Sequence, residues 1–294
     1  MTTAENDGSH FAIHNLKEIG KRDANRKEIR RRVQAIFVGN NTVLCRMLGR
    51  YKFYVAADDV GFSSHLMMEG FWEIHITEFI ARHVSTGMTV LDLGANFGYY
   101  TILMASLVGP QGNVHAIEPN PAAVALLRKN VAVNGFGRSR DAIVRIHERA
   151  IWDSTDHDVT LRIPPTEAKN AHVMRPSEAA RPDQRDWVQV EVKTLALDDL
   201  PLENVSLIKA DIEGAEERLW GGMQQFLKRN RDVLLLLEFN CHRCQNARET
   251  LSRMAEVFPL RYLERNGQVL EATPDEIIEG RPGDWMLVLT RRPI

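Results

Sequence analysis

Three cysteines in 294 residues are too few for a disulfide framework. Cys45, Cys241 and Cys244 fit a reducing compartment instead. Long apolar runs are also missing. Those at residues 102–108 and 233–237 fall far short of the roughly 20 residues a membrane-spanning helix needs. The opening Met1-Thr2-Thr3-Ala4-Glu5-Asn6-Asp7 lacks the basic and apolar regions of a secretory signal. Excess positive charge is absent: 37 Lys and Arg against 39 Asp and Glu leave a formal net charge of −2. That balance creates no overall field to hold a nucleic-acid backbone. What is present, 44% hydrophobic residues with no internal repeat, suffices for one large core and an accessory segment. The expectation is a soluble cytoplasmic protein with neither a membrane nor a nucleic acid as its partner. The oligomeric state is open, with a homodimer as one option.

A further absence lies inside the most informative stretch. Val90-Leu91-Asp92-Leu93-Gly94-Ala95-Asn96-Phe97-Gly98 reads as a buried strand, a glycine turn and a helix start. About twenty residues on, Val114-His115-Ala116-Ile117-Glu118-Pro119 reads as a second buried strand ending in an acid. This is one βαβ crossover, and it puts Glu118 where a carboxylate accepts hydrogen bonds from the two hydroxyls of a ribose. The second glycine of a dinucleotide turn, G-x-G-x-x-G, is missing, and Asn96 stands in its place. A side chain there obstructs a pyrophosphate, which weakens a NAD-dependent dehydrogenase. It does not obstruct S-adenosylmethionine, which has no phosphate and turns an amino-acid end toward the loop. Asp92 would repel a pyrophosphate but suits the ammonium or sulfonium end of that donor. A generic βαβ turn is the bland alternative. Asp92 and Glu118 together favour a methyltransferase.

The pattern divides into an N-terminal extension, 1–60, and a catalytic domain, 61–294. Residues 1–14 are polar. Leu16 to Phe37 reads as a helix with Ile29, Val33, Ile36 and Phe37 on one face, and its many Lys and Arg read as a solvated surface. A strand pair follows over 39–60, then a helix over 66–83. Strand and helix then alternate: strand 89–93, helix 99–107, strand 114–117, helix 121–134, strand 143–147. The stretch 154–186, punctuated by Pro164, Pro165, Pro176 and Pro182, reads as a loop or hairpin insertion reaching to about residue 190. It is either a lid or a segment without function. Val188, Val190 and Val192 alternate with polar residues as a half-exposed strand. Then come strand 205–209, helix 215–228, strand 232–239 and helix 246–258. A closing hairpin pairs Leu260–Arg265 with Trp285–Thr290 around Asn266-Gly267. The sum is an α/β, doubly wound, mostly parallel sheet.

The second distinctive segment is Ser206-Leu207-Ile208-Lys209-Ala210-Asp211-Ile212-Glu213-Gly214-Ala215-Glu216. A buried strand carrying Lys209 and Asp211 does not leave them unpaired. At a strand's carboxyl end they border the cofactor crevice, while Glu213 and Glu216 favour the start of a helix.

Taken together, LDLGANFGYYT, HAIEPNP with LLRKNVAVNG, and LIKADIEGAEERLWGG resemble the FkbM family of S-adenosylmethionine-dependent methyltransferases. The lead-in from Gly61 to Glu73, ending GFWE, is also similar. The likeness spans roughly residues 55–240. It implies a class I, Rossmann-like methyltransferase fold, with a seven-stranded, mostly parallel sheet and an antiparallel C-terminal hairpin. It implies methylation of a hydroxyl on a small molecule or sugar-containing natural product. Carried over by motif, Asp92, Gly94, Asn96 and Gly98 line the methionine end of the donor and Glu118 takes the ribose. Tyr99, Tyr100 and Thr101 contact the donor carboxylate, which Glu73 also reaches. No residue of Arg145–Ala150 stands out as the adenine partner.

Methyl transfer is an in-line displacement at an activated sulfur, so the protein mainly aligns the partners and excludes water. A hydroxyl acceptor must also lose its proton. Asp211 is the first candidate, with Lys209 to polarise the acceptor or neutralise Asp211, and Glu238 at the next strand end. Asp211, Glu238 and Asn240 imitate the Mg²⁺ site of catechol O-methyltransferase-like enzymes, although metal-independent catalysis is the favoured reading and no metal ligand is assigned. Cys241-His242-Arg243-Cys244 lacks the second pair a zinc site requires. His65 and His75 are alternative bases, each better read as an ordinary histidine. Other functions kept open are RNA ribose O-methylation and cofactor binding without catalysis.

Overall fold

The computed structural model describes residues 10–137, 143–174 and 186–294. The N-terminal segment is not one long helix. A short 3₁₀ turn (Ile13–Lys17) ends at Gly20, which has φ of 81°, and α1 spans only Arg22–Arg30. The β-branched and aromatic run Ala35–Gly39 then forms strand β1, followed by β2 (Thr42–Met47) and β3 (Tyr51–Ala56) in an antiparallel meander. Ile29 is buried, whereas Ile36 and Phe37 stand exposed on β1, so the expected apolar helix face does not exist. Leu16, Ile29, Phe53 and Val55 share one apolar cluster with Val90 and Leu103, so the extension is welded to the catalytic core. Its basic residues are largely paired: Arg22 with Glu78, Arg30 with Glu69, Arg32 with Glu28. The first nine residues lie outside the described part.

The helix expected at 66–83 is two, α2 (Phe62–Glu69) and α3 (Ile74–His83). Gly70 and Glu73, both at positive φ, break it between them. The core runs β4 (Thr89–Leu93), α4 (Tyr99–Val108), β5 (Asn113–Ile117), α5 (Pro121–Val133) and β6 (Ile143–His147). Asn120 caps α5 by accepting from Ala122 N–H, with Pro121 at the first helical position. Residues 150–195 form a separate small sheet of β7 (Ala150–Ile151), β8 (Asp158–Ile163), β9 (His172–Val173) and β10 (Val188–Leu195), in the order β7-β10-β8-β9. Among the described residues the insertion includes a hairpin, with β8 and β10 antiparallel. Pro176 and Pro182 lie outside the described residues. Then follow β11 (Val205–Ala210), α6 (Glu216–Gly221), α7 (Gln224–Arg229), β12 (Leu234–Phe239), α8 (Ala247–Ala255), β13 (Arg261–Leu263), β14 (Val269–Glu271), α9 (Pro274–Glu279) and β15 (Trp285–Leu289). The helix expected at 215–228 is thus split into α6 and α7.

The main sheet has eight strands in the order β14-β13-β15-β12-β11-β4-β5-β6. From β12 to β6 all neighbours are parallel. The closing hairpin differs from expectation: β13 turns at Asn266-Gly267 into β14, and β15 inserts antiparallel between β12 and β13. The eighth strand is the edge strand β14. Order reverses beside β4, so the carboxyl ends of β4, β5 and β11 open a crevice, which is where ligands bind in such sheets. No helix among the described residues is long and apolar enough to cross a membrane.

Candidate active site

The turn after β4 is laced to β5, because the N–H groups of Gly94 and Ala95 both donate to the Ile117 carbonyl at 2.9 and 3.0 Å. Asp211 N–H donates to the Leu93 carbonyl at 3.0 Å, which draws the next chain segment across the turn. Gly94 sits at φ of 75°, and a Cβ there would lie 1.7 Å from the Asp211 carbonyl oxygen. Only glycine fits. Gly94→Ala should lower the melting temperature by on the order of 10 °C, through left-handed strain and forced separation of two backbones. A melting curve superimposable on that of the wild type would show that the crossing is not needed.

Asn96, left-handed at φ of 49°, donates its N–H to Glu118 Oε2 at 2.7 Å. Asn120 N–H donates to Oε1 at 2.9 Å. Each carboxylate oxygen keeps a further lone pair, so Glu118 is held fixed yet able to accept two more hydrogen bonds. Burial pushes its carboxyl up to about 7; the two N–H groups oppose this, and Asp92 and Asp211 add to it. Gly94, Asn96 and Glu118 line one side of a cleft, with Asp211, Ile212 and Glu213 on another. Ile117, Ala150 and Ile151 give it an apolar wall, and Leu161, Lys169, His172 and Val173 of the insertion cover it. Its free volume is about 70 Å³ in this conformation.

Several expected cofactor residues lie outside this cleft. Asp92 is 1% exposed, and its Oδ2 accepts from the Thr101 hydroxyl at 2.5 Å. Tyr99 OH pairs with Thr77 Oγ1 at 3.0 Å in the core. Gly98 starts α4 at φ of 96°, packed so tightly that a Cβ would meet Leu127 at 2.4 Å. Glu73 accepts from Tyr100 OH at 3.1 Å and lines a different cavity.

That second cavity, of about 580 Å³, lies beside β12, β13 and β15 and is lined by Glu73, His75, Glu238, Arg265, Arg281 and Asp284 among others. Between the two spaces stands a wall of acids. Asp211, Glu213 and Glu238 bring carboxylate oxygens within 4.8 Å of one another. Lys209, 2% exposed and opposite Asp92 in the β4–β11 register, places Nζ 3.1 Å from Asp211 Oδ2 and 4.9 Å from the centre of the Tyr100 ring. Burial opposes its charge, but Asp211, Asp92, Glu238 and Glu73 outweigh it and hold the ammonium above its usual value. Arg243 pairs with Glu213 and lies 3.5 Å from Asp284. Two cations thus face six carboxyl groups, and the excess is relieved by protons. Burial, then Asp211, Glu73 and Asp284, push Glu238 up to about 10, against Lys209. Burial and Asp211 push Glu213 up to about 8, against Arg243.

Asp211, Lys209 and Glu238, expected at neighbouring strand ends, lie together, and Glu213 joins the acids. Asn240 Nδ2 donates to Asp284 Oδ1 at 2.7 Å, and its Oδ1 accepts from His242 N–H at 3.0 Å. Glu213 was taken for a helix-start residue. The Gly after it, and its own φ of 45°, turn it back toward β12. His75 lines the second cavity, and burial together with Arg22, Arg265 and Arg281 pushes it down to about 4, so it is neutral. His65 packs on Phe71 and Trp72. Cys241 and Cys244 are free thiols.

A doubly wound sheet, a glycine turn without a pyrophosphate seat and an acid at the end of the next strand define a class I methyltransferase. The chain belongs to the methyltransferase FkbM domain family, whose model matches residues 92–265. Membership implies S-adenosylmethionine as methyl donor. Curated relatives match over short stretches. A protein-L-isoaspartate O-methyltransferase of Methanothrix thermoacetophila is 44% identical over 45 residues, 15% of this chain and 21% of its own length. One from Caenorhabditis elegans is 39% identical over 54 residues, 18% and 24% of the two chains. The chain therefore spans about a quarter or less of these relatives. Among solved structures, an FkbM methyltransferase of Methylobacillus flagellatus is 17% identical with TM-score 0.40, over 70% of this chain and 43% of that one.

The cleft residues fit such a donor chemically. Glu118 offers two fixed acceptor sites. Among the described residues, the buried Asn96 Oδ1 and Asp92 Oδ1 have no hydrogen-bond partner, and Asn96 is on the cleft wall.

Proposed function

We propose that this protein is an O-methyltransferase acting on a hydroxylated small molecule. The observation that carries the reading is the wall of Asp211, Glu213 and Glu238, with Lys209 behind it, between the cleft of Glu118 and a cavity of about 580 Å³. A cavity of that size suits a small-molecule acceptor. When bound, S-adenosylmethionine supplies a methyl group already activated by a positive sulfur. Glu118 and Asn96 hold the donor's ribose and polar groups, and Ala150 and Ile151 with Ile117 supply an apolar face for its adenine. The acceptor lies in the larger cavity with its hydroxyl at the acid wall. Asp211, the member paired with buried Lys209, takes the hydroxyl proton as the oxygen–carbon bond forms and the carbon–sulfur bond breaks. Lys209 keeps Asp211 oriented and offsets its charge. Glu238 retains its own proton near neutral pH and donates a hydrogen bond to the acceptor.

Calorimetric titration tests the reading with S-adenosylmethionine, S-adenosylhomocysteine and NAD, with and without Mg²⁺. Micromolar binding of the first two and none of NAD is expected. Binding of NAD alone would overturn it. The Mg²⁺ arm decides whether the three acidic oxygens take a cation or only protons.

A further inference from the structure

The cavity beside the acid wall is polar in one direction. At one end stand Glu73 and Glu238, next to Asp211 and Lys209. Away from it stand Arg265 and Arg281 with His75. Their partners differ. Arg281 lies 3.4 Å from Glu264 and stacks over Trp285, 4.6 Å from its centre, which locks the guanidinium plane and leaves donors to spare. Arg265 is held by its backbone, since Arg22 Nη1 donates to its carbonyl at 2.5 Å. Its side chain makes no ion pair or hydrogen bond among the described residues. It is the unsatisfied cation of the group, since Arg22 already has Glu78 and Arg281 has Glu264. Burial, with the charges of Arg22, Arg265 and Arg281 adding to it, keeps His75 neutral, so the imidazole adds a hydrogen-bonding group without further charge. Asp284 also faces the cavity, but it is engaged by Arg243 and by Asn240.

Arg265 and Arg281 are both exposed, so their guanidinium groups are open to an anionic ligand, whereas a neutral polyol would use their hydrogen bonds but not their charge. We infer that the acceptor is anionic: a hydroxylated molecule bearing a carboxylate or phosphate, gripped by Arg265 and Arg281 while its hydroxyl points to the acid wall. This rests on the proposed methyltransferase reading for the direction of the hydroxyl. It rests on the cavity alone for the anion. The arginines supply planar paired donors, which match both oxyanions. With the arginines away from the acid wall, the anion sets which end of the acceptor meets the methyl.

The test is titration of the full-length protein, loaded with S-adenosylhomocysteine, with inorganic phosphate and with acetate. Arg265→Gln is compared with wild type, and Arg291→Gln, at the far end of β15, is the control. Truncating the Arg265 side chain removes no internal contact, so the variant is expected to fold. Wild type and Arg291→Gln should bind phosphate in the millimolar range or better, with Arg265→Gln at least tenfold weaker and the double variant Arg265→Gln/Arg281→Gln weaker still. S-adenosylhomocysteine affinity should be the same in all four. No phosphate or acetate binding by the wild type, or equal binding by Arg265→Gln, overturns the inference and leaves the methyltransferase reading intact. Failure of S-adenosylhomocysteine to bind the wild type would sink that reading, and the phosphate comparison would still decide the anion site.

Discussion

Replacing Asp211 by Asn should lower turnover by about 10²- to 10⁴-fold, the usual contribution of a positioned base. Affinity for S-adenosylhomocysteine should be largely unchanged. The substitution is nearly isosteric, and the amide oxygen can still accept from Lys209 Nζ, 3.1 Å from Asp211 Oδ2. What it loses is the ability to take a proton. The neighbours cannot replace it well. Lys209 is held protonated by the surrounding acids. Glu238 and Glu213, pushed up to about 10 and about 8, are already protonated near neutral pH. Among the wall residues Asp211 is the one paired with a buried cation and still open to an incoming hydroxyl. Single-turnover measurement with labelled donor separates this from a binding defect. Undiminished turnover would remove Asp211 from the mechanism.

Much of this arrangement could be read from the chain because the turn and the two strand ends are local. Gly94, Asn96 and Glu118 lie on one βαβ unit, and a short loop between paired parallel strands leaves few geometries. Lys209 and Asp211 were legible for a similar reason, since a buried strand tolerates such a pair only where it ends. Periodicity failed where the backbone breaks. The family resemblance places Glu73 at the donor, but its φ of 34° and the Gly70 break set it against Tyr100 and the second cavity. Ile36 and Phe37 fit a helical stripe, but the three successive strand formers Ile36, Phe37 and Val38 fit the edge of a meander equally well, and there the meander won. The second cavity was hidden for a topological reason. Its arginines come from the turn after β13 and the loop before β15, and their meeting depends on β15 inserting between β12 and β13. No local signal encodes that insertion. A hairpin joining residues 260–265 directly to 285–290 reads just as well.

Glu118→Gln should weaken S-adenosylhomocysteine binding at least tenfold at pH 8 and abolish its dependence on pH. In the free protein, burial holds the Glu118 carboxyl at about 7 even though two N–H groups point at it. Ribose hydroxyls that donate to it favour the ionised form, so binding lowers that value. Wild-type affinity should then rise with pH by up to about tenfold per unit below 7 and level off above it. The sign for stability is opposite. The folded value lies above the ordinary 4.5, so the free protein binds this proton more tightly than the unfolded chain does. Its stability contribution is complete below pH 4.5 and is lost as pH rises to about 7. The nucleoside should therefore raise the melting temperature most above pH 7. S-adenosylhomocysteine carries no sulfonium charge, so the profile reports the ribose contact rather than attraction between donor and acid wall. Calorimetry from pH 5.5 to 8.5 on both proteins decides the matter. A flat wild-type profile, or the same slope in Glu118→Gln, would mean that the carboxylate does not receive the ribose.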